Sequence, residues 1–240
     1  GFWHIQLDKE SADLCCFNTC FGRYKWLRMP FGIKSAPEVF QKMVFRIFGN
    51  IKGVQVIFDD LIIAAVSEEE HDRILKEVIK TAERNNVKFN KGKIQFKVSQ
   101  VKYMGNVITD KGMMPDPNKV KAITQMEEPK CKEEVKRFLG MINYLAPFIP
   151  NVATVNGPLR ELVKQDVSWH WEEKHSRAFG KLKKLLSDSP TMKFFNPTAK
   201  ITIQTDASKA GIGCCLMQNN QPVEYASRAL TPTETKYAQI

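Results

Sequence analysis

The sequence predicts an α+β protein, and three observations carry that expectation. Alternating apolar runs and amphipathic helical stretches interleave over residues 1–114, helical patterns dominate from 115 to 196, and β-prone runs return from 197. Strand, helix, hairpin, helix and strands in that order suggest a sheet layered by helices on one side, followed by a mainly helical region and a second small sheet. A length of 240 residues accommodates one large domain or two to three small ones.

Residues Phe2 to Leu7 alternate, with Trp3, Ile5 and Leu7 on one face. Leu14–Phe17 and Tyr24–Leu27 read as strands, with the turn at Phe21-Gly22-Arg23. Pro30 and Gly32 make residues 29–34 a loop. Ser35, with Glu38 three residues on, reads as a capping box opening a helix, with Pro37 in its first turn. Val39, Phe40, Met43, Val44 and Ile47 form its apolar stripe, and Gly49 is its stop. A second capping box, Ser67 with Glu70, opens a helix to about Asn86 with Ile74, Leu75, Val78, Ile79 and Ala82 as its stripe. Glu68, Glu69 and Glu70 suit its positive end. Short strands are expected near Val87–Phe89, Ile94–Lys97 and Val101–Ile108.

Beyond Pro115 and Pro117 helices are expected over Asn118–Met126, Lys132–Leu145, Val155–Lys164 and Glu172–Leu186. Pro190 and Pro197 bracket the next boundary. Ile201–Thr205 then reads as a strand ending at Asp206, Gly211–Met217 as a second, Asn219-Asn220 as a hairpin turn and Val223–Tyr225 as a third.

The composition, 43% hydrophobic and 26% charged, is ordinary for a globular protein, but the net charge is +10. The excess is concentrated: Arg73 to Arg137 holds 16 Lys and Arg against 8 Asp and Glu. Such a stripe favours a phosphate backbone, although a solvated lysine-rich surface has the same composition. No apolar run approaches the roughly 18–20 residues that span a bilayer, and no secretory leader is visible, so no membrane partner is expected. Cys15, Cys16, Cys20, Cys131, Cys214 and Cys215 show no metal-type spacing. They read as reduced, mostly buried thiols of an intracellular protein.

The feature with the most chemical content is Asp59-Asp60, set between Val54–Phe58 and Leu61–Ala65. Two β-prone runs around a two-residue break read as a hairpin. Two neighbouring carboxylates repel unless a cation or proton lies between them, which points to a Mg²⁺ site for phosphoryl or nucleotidyl transfer. Asp is also a common solvated turn residue, so the pair alone does not decide the matter.

Its neighbours do. The run from Phe21 through Gly22-Arg23-Tyr24-Lys25-Trp26-Leu27-Arg28-Met29-Pro30-Phe31-Gly32 to Gln41 resembles the palm segment of reverse transcriptases from gypsy-type LTR retrotransposons. Asp59-Asp60 is similar to that family's metal-binding hairpin. Met104–Ile108 followed by Gly112–Val120 resembles the passage from palm to thumb, and Phe138–Tyr144 a thumb helix. Thr205–Gly213, with Tyr225–Leu230, resembles the opening of the tethered RNase H domain. The resemblance runs along the whole chain in the family's order.

It implies a palm with part of the fingers over 1–114, a thumb and connection over 115–196 and the first part of an RNase H-like domain over 197–240, with further sequence expected at both ends. The implied fold is α+β: a ferredoxin-like palm sheet with helices, a mainly helical thumb, and the N-terminal strands of an RNase H-like domain. The implied activity is RNA-directed DNA polymerisation with linked RNase H. Asp59, Asp60 and Asp206 become catalytic and metal-binding residues for Mg²⁺, with Mn²⁺ as a substitute. A third polymerase Asp is expected ahead of Gly1-Phe2, and further RNase H carboxylates beyond Ile240.

Phe2, Phe31, Gly32 and Gln41 are implied to face the nucleotide, Phe2 by excluding a ribose 2′-hydroxyl, although Gln41, at the edge of its helix stripe, also reads as a structural residue. Arg23, Lys25, Arg28, Lys91, Lys93, Lys97 and Lys102 are implied to approach nucleic acid. The implied partners are an RNA or DNA template-primer, dNTP, and the other Pol segments: protease, the rest of RNase H, and integrase. The implied setting is the cytoplasm, a virus-like particle or the nucleus. One departure stands out: Ile57 occupies the place where the family usually has Tyr, two residues before the aspartate pair. With the missing Asp, it leaves a second reading open, an inert remnant that holds nucleic acid through its basic surface.

Overall fold

The computed structural model describes residues 1–237. These fold as two compact units, Gly1–Phe96 and the chain from Lys97 onward.

In the first unit the opening is helical, not extended. A 3-10 turn, Phe2–His4, precedes helix α1, Lys9–Leu14. Asp8 caps α1, its carboxylate accepting the Ser11 N–H at 2.7 Å, while the Phe2–Leu7 alternation gives way to turn bonds from the His4 N–H to the Gly1 carbonyl and from the Ile5 N–H to the Phe2 carbonyl, each 3.0 Å. Strands β1, Cys16–Thr19, and β2, Gly22–Lys25, pair antiparallel, and the turn lies at Cys20-Phe21, one residue ahead of the expected place. Helix α2 is Ala36–Phe48. Ser35 itself has helical angles and makes no side-chain cap bond, so the expected capping box is not formed. An N-cap needs extended backbone, which Ser35 lacks.

Strands β3, Val54–Ile57, and β4, Asp60–Ile63, form the hairpin that carries the acids. Helix α3, Glu68–Arg84, is capped by Ser67 as expected, while Glu70 reaches back to the Val66 N–H at 3.1 Å. Phe48, Ile51, Val54, Val56, Ile74, Val78 and Ala82 join α2, the hairpin and α3 in one core. A second core gathers Met29, Ala36 and Phe40 with Phe2 and Ile5 at its edge. Above it lies an exposed row of rings in which Trp3 and Trp26 stack at 6.2 Å. The strands expected at 87–89 and 94–97 are absent. That segment holds one 3-10 turn, Lys91–Lys93, capped by Asn90, and residues 88–96 are exposed.

In the second unit β5, Gln100–Tyr103, β6, Asn106–Thr109, and β7, Gly112–Pro115, form an antiparallel meander. The single strand expected over Val101–Ile108 is broken because Met104 and Gly105 take φ of 48° and 70°. Gly112, at φ 139°, starts β7, where Met113 exchanges two 2.8 Å backbone hydrogen bonds with Met192. That exchange ties the meander to the rest of the second unit.

The helices are α4 (Pro117–Thr124), α5 (Lys132–Tyr144), α6 (Val152–Val155), α7 (Gly157–Leu162) and α8 (Glu173–Ser187). The one helix expected over Val155–Lys164 is two, because Gly157-Pro158 interrupts the backbone ladder. Val135, Phe138, Ile142, Leu159, Leu182 and Leu186 are fully buried, and the Phe138 and Phe179 rings lie 4.5 Å apart. Trp169 and Trp171 stack at 5.9 Å.

Strands β8 (Thr202–Ala207), β9 (Gly211–Gln218) and β10 (Gln221–Ala229) form a sheet in the order β10-β9-β8. Asn219 and Asn220, both at positive φ, make its tight turn as expected. Strand β8 is exposed along its length, and Ile203 keeps 64% of its surface. The thiols also differ from expectation: Cys16 and Cys20 are exposed and the other four half-buried. Cys16 opens β1 and Cys20 lies in the turn of the short β1–β2 ribbon, whose strand residues are all exposed.

Candidate active site

The acids sit where α2 and the hairpin meet. In the register Ile57 pairs with Asp60, so the two-residue turn is Phe58-Asp59 and Asp60 already begins β4. The break is therefore one residue earlier than the two aspartates suggested. Phe58 adopts φ 51°, which is uncommon for a non-glycine residue. Both Asp59 and Asp60 are exposed.

Gln41 projects from α2 onto the outer edge of β3. Its Nε2 donates to the Val56 carbonyl at 3.2 Å, and its Oε1 accepts the Phe58 N–H. Neighbouring Phe40 is buried and supports Phe2 edge-on at 5.7 Å, and Phe2 meets Phe31 at 5.6 Å. Gly1 completes the cluster. A Cβ built on it would lie 3.0 Å from Asp59 Oδ1 and 3.4 Å from the Phe40 ring. Gly32 has φ 90° with open space beside it, which glycine adopts without cost. Phe2, Phe31, Gln41 and Asp59 thus converge, with Gly32 next in the chain to Phe31.

Carboxylates are the hard oxygen ligands that Mg²⁺ and Mn²⁺ take, and an exposed adjacent pair fits such an ion as part of a ligand set. Among the described residues no group of three or more His, Cys, Asp or Glu side chains comes together to complete one.

The cationic residues are less uniform than the sequence suggested. Lys25 is bound to Asp13 at 2.6 Å, which raises its pKa. Arg28 Nη1 donates to the His4 carbonyl at 3.1 Å, and Arg23 Nε to Asn18 Oδ1 at 3.4 Å. Lys102 reaches Asp116 at 3.3 Å. The Asn118 N–H above all, and then Lys102, hold Asp116 below the ordinary carboxylate range. Lys91 and Lys93 stand exposed on their 3-10 turn in the first unit, whereas Lys97 and Lys102 belong to the second.

In the second unit Asp206 lies on β8 opposite Gly213, exposed. Asn151, at the start of α6 with φ 51°, directs its Nδ2 to Asp206 Oδ2 at 3.4 Å. The Ala153 N–H donates to Ser227 Oγ at 3.0 Å, so α6 is seated on β10 beside this acid. No sequence pattern announced Asn151. Its contact crosses 55 residues and depends on how α6 packs.

The hairpin packed against α2 and α3 fits the palm of the reverse-transcriptase fold, and comparison with known proteins gives the class. Residues 1–108 match the family described as reverse transcriptase (RNA-dependent DNA polymerase), and residues 171–240 the RNase H-like domain found in reverse transcriptase. The two matches, in this order, bear out the resemblance to the reverse transcriptase–RNase H region of a gypsy-type LTR retrotransposon polyprotein.

Its relatives include the Tf2-3 and Tf2-7 transposon polyproteins of Schizosaccharomyces pombe, 33% and 32% identical over 98% of this chain. The chain spans 18% of the length of each. Among solved structures, a foamy viral protease-reverse transcriptase in complex with RNA/DNA hybrid superimposes with a TM-score of 0.88 at 23% identity, over 99% of this chain and 33% of that one. The same protein in complex with dsDNA gives 0.85 at 24%, over 99% and 51%. These similarities establish the α+β reverse-transcriptase fold. Among the described residues no helix is long and apolar enough to cross a membrane.

Proposed function

We propose that this chain carries the central part of an RNA-directed DNA polymerase, extending a primer on an RNA or DNA template with dNTPs, with a linked RNase H. The observation that carries the reading is the convergence of Asp59, Phe2, Phe31 and Gln41 around a hairpin whose acids face solvent. Gly1 lies against Asp59, so a residue joined ahead of it enters beside the acids, where the resemblance places a third Asp.

Asp59 and Asp60 supply carboxylate oxygens to Mg²⁺, or to Mn²⁺ in its place. When bound there, such ions would supply Lewis-acid activation of a primer 3′-hydroxyl and charge stabilisation on the transferring phosphate. Phe2, braced by Phe40, offers a fixed ring at the position where the resemblance puts exclusion of a 2′-hydroxyl. Phe31, 70% exposed, offers a face for the incoming base pair. Lys91 and Lys93 approach the nucleic-acid backbone without reading sequence. Asp206 is proposed as one ligand of the RNase H metal site. Complexes of the structural neighbours with dsDNA and with RNA/DNA hybrid support these partners, and the polyprotein relatives support linkage to further Pol segments.

Primer extension on an RNA template by a polypeptide containing this chain within its polymerase tests the reading. Asp59→Asn and Asp60→Asn are each expected to reduce kcat by about 10³ or more, the scale for residues that act as a unit. Extension unchanged in both variants refutes it. The binding-module alternative draws on Ile57, which stands two residues before the aspartate pair where the resemblance puts Tyr. It requires steeply salt-dependent nucleic-acid binding with no extension under any divalent ion.

A further inference from the structure

We infer that Gln41 is a positioning residue for the acid hairpin, acting on Asp59 and Asp60 through the backbone of β3 rather than on the nucleotide. The inference rests on the polymerase reading of that hairpin and deepens it.

Strand β3 pairs on one side only, with β4. Because Ile57 faces Asp60 across the pair, the backbone groups of Val56 and Phe58 point to the outer edge. An edge of this kind normally offers a carbonyl at one residue and an N–H two residues on. Gln41 meets both: its amide N–H donates to the Val56 carbonyl and its amide oxygen accepts the Phe58 N–H. The side-chain amide thereby takes the place of a peptide group from a neighbouring strand. One amide N–H and one lone pair of the amide oxygen are thereby committed to the strand edge, which fixes the orientation of the whole amide plane.

The clamp falls where the backbone is least comfortable. Phe58 has φ 51°, and such residues persist where surrounding contacts hold them. Asp59 follows it in the turn and Asp60 starts the return strand, so the φ of Phe58 sets the direction of the first acid and the register of the second. The support is rigid, since Gln41 lies on α2, whose residues Phe40 and Phe48 are 7% and 1% exposed. Gln41 is therefore a fixed strut, and the pair of acids is aimed from α2.

Amide hydrogen exchange on the 240-residue chain, with no substrate present, tests this independently of turnover. Gln41→Met keeps length and removes both polar atoms. It is expected to speed exchange of the Phe58 N–H about tenfold or more, the loss of one hydrogen bond of ordinary strength. Gln41→Glu keeps the acceptor and loses the donor. It is expected to leave Phe58 protected while the Val56 carbonyl carbon resonance shifts. In the same chain, Mn²⁺ broadening of the Asp59 and Asp60 resonances is expected to need several-fold more ion in Gln41→Met.

In primer extension, Gln41→Met is expected to lower kcat and raise the Mg²⁺ requirement at an unchanged KM for dNTP. Unaltered Phe58 exchange in Gln41→Met overturns the inference, as does a rise in KM for dNTP alone. If Gln41→Met does not fold, an unshifted Val56 carbonyl in Gln41→Glu overturns it. A wild-type polypeptide that extends no primer would reject the polymerase reading, while the exchange result would still decide the clamp.

Discussion

Replacing Gly112 and Gly140 by alanine makes the same chemical change twice and should give opposite signs. Gly112 lies at φ 139°, and a Cβ there would stand 2.1 Å from the Met192 carbonyl oxygen and 3.0 Å from its carbon. Both are backbone atoms of a residue that is 1% exposed, so they cannot swing aside. Holding alanine at this φ costs about 1–3 kcal/mol. Relieving the clash by lifting β7 away forfeits, in addition, the two 2.8 Å bonds between Met113 and Met192, about 1 kcal/mol each. The expected loss is about 3–5 kcal/mol.

At Gly140, inside α5 and exposed, nothing lies within 4 Å of the added Cβ. Alanine there should stabilise by about 0.5–1 kcal/mol, through helix propensity alone. Urea unfolding read at the Val107 and Ile142 methyl resonances checks both, because both residues belong to the second unit's interior. With a slope of about 1–3 kcal/mol per molar, the Gly112→Ala midpoint should fall by a molar or more. A Gly112→Ala midpoint equal to wild type, or a Gly140→Ala chain as destabilised as Gly112→Ala, would refute the reasoning.

Three further outcomes are expected. Phe138→Ala removes a ring with no exposure that sits 4.5 Å from Phe179, and should cost about 3–5 kcal/mol, checked by the same urea transition. Glu234 is held at a pKa of about 2, first by Arg228 and then by the Thr231 N–H. A depressed carboxylate stabilises the fold above its unfolded value near 4.5, and that stabilisation fades as pH falls toward 2. Stability of the β10 end measured from pH 6 to 2 should therefore drop in wild type and flatten in Glu234→Gln. Lys91→Ala with Lys93→Ala should weaken nucleic-acid binding on all sequences alike and reduce the salt slope by about 2, read by fluorescence anisotropy at several salt concentrations.

Much of the fold could be read from the sequence where a single element decides its own structure. Ser67 before three glutamates, and the buried spacing of Ile74, Val78 and Ala82, define α3 without help. Asn219-Asn220 announces its turn because asparagine tolerates positive φ. Errors arose where tertiary contact chose between local options. The α1 helix, six residues long, shows no apolar stripe of its own, and only the Asp8 cap marks its start. The Met104-Gly105 turn was hidden because methionine is no turn signal; Tyr144, 40 residues on, donates to the Met104 carbonyl at 2.6 Å.

The candidate site divides in the same way. Asp59 and Asp60 are visible as a motif, but the turn sits one residue early because Phe58 accepts a left-handed angle held from α2. At Gln41 the sequence leaves a nucleotide contact and a structural role both open, and the two bonds to β3, which no local pattern encodes, show what its amide touches. The lysines read as one stripe, yet Lys102 spends its charge on Asp116.

The four tryptophans of the chain fall into two stacked pairs, Trp3 with Trp26 and Trp169 with Trp171, one in each compact unit. Indoles this close couple their electronic transitions, so each pair is a built-in exciton chromophore whose circular-dichroism couplet vanishes when its own unit melts. The protein thus carries two native optical gauges. Substituting one partner of either pair silences one gauge and leaves the other to report.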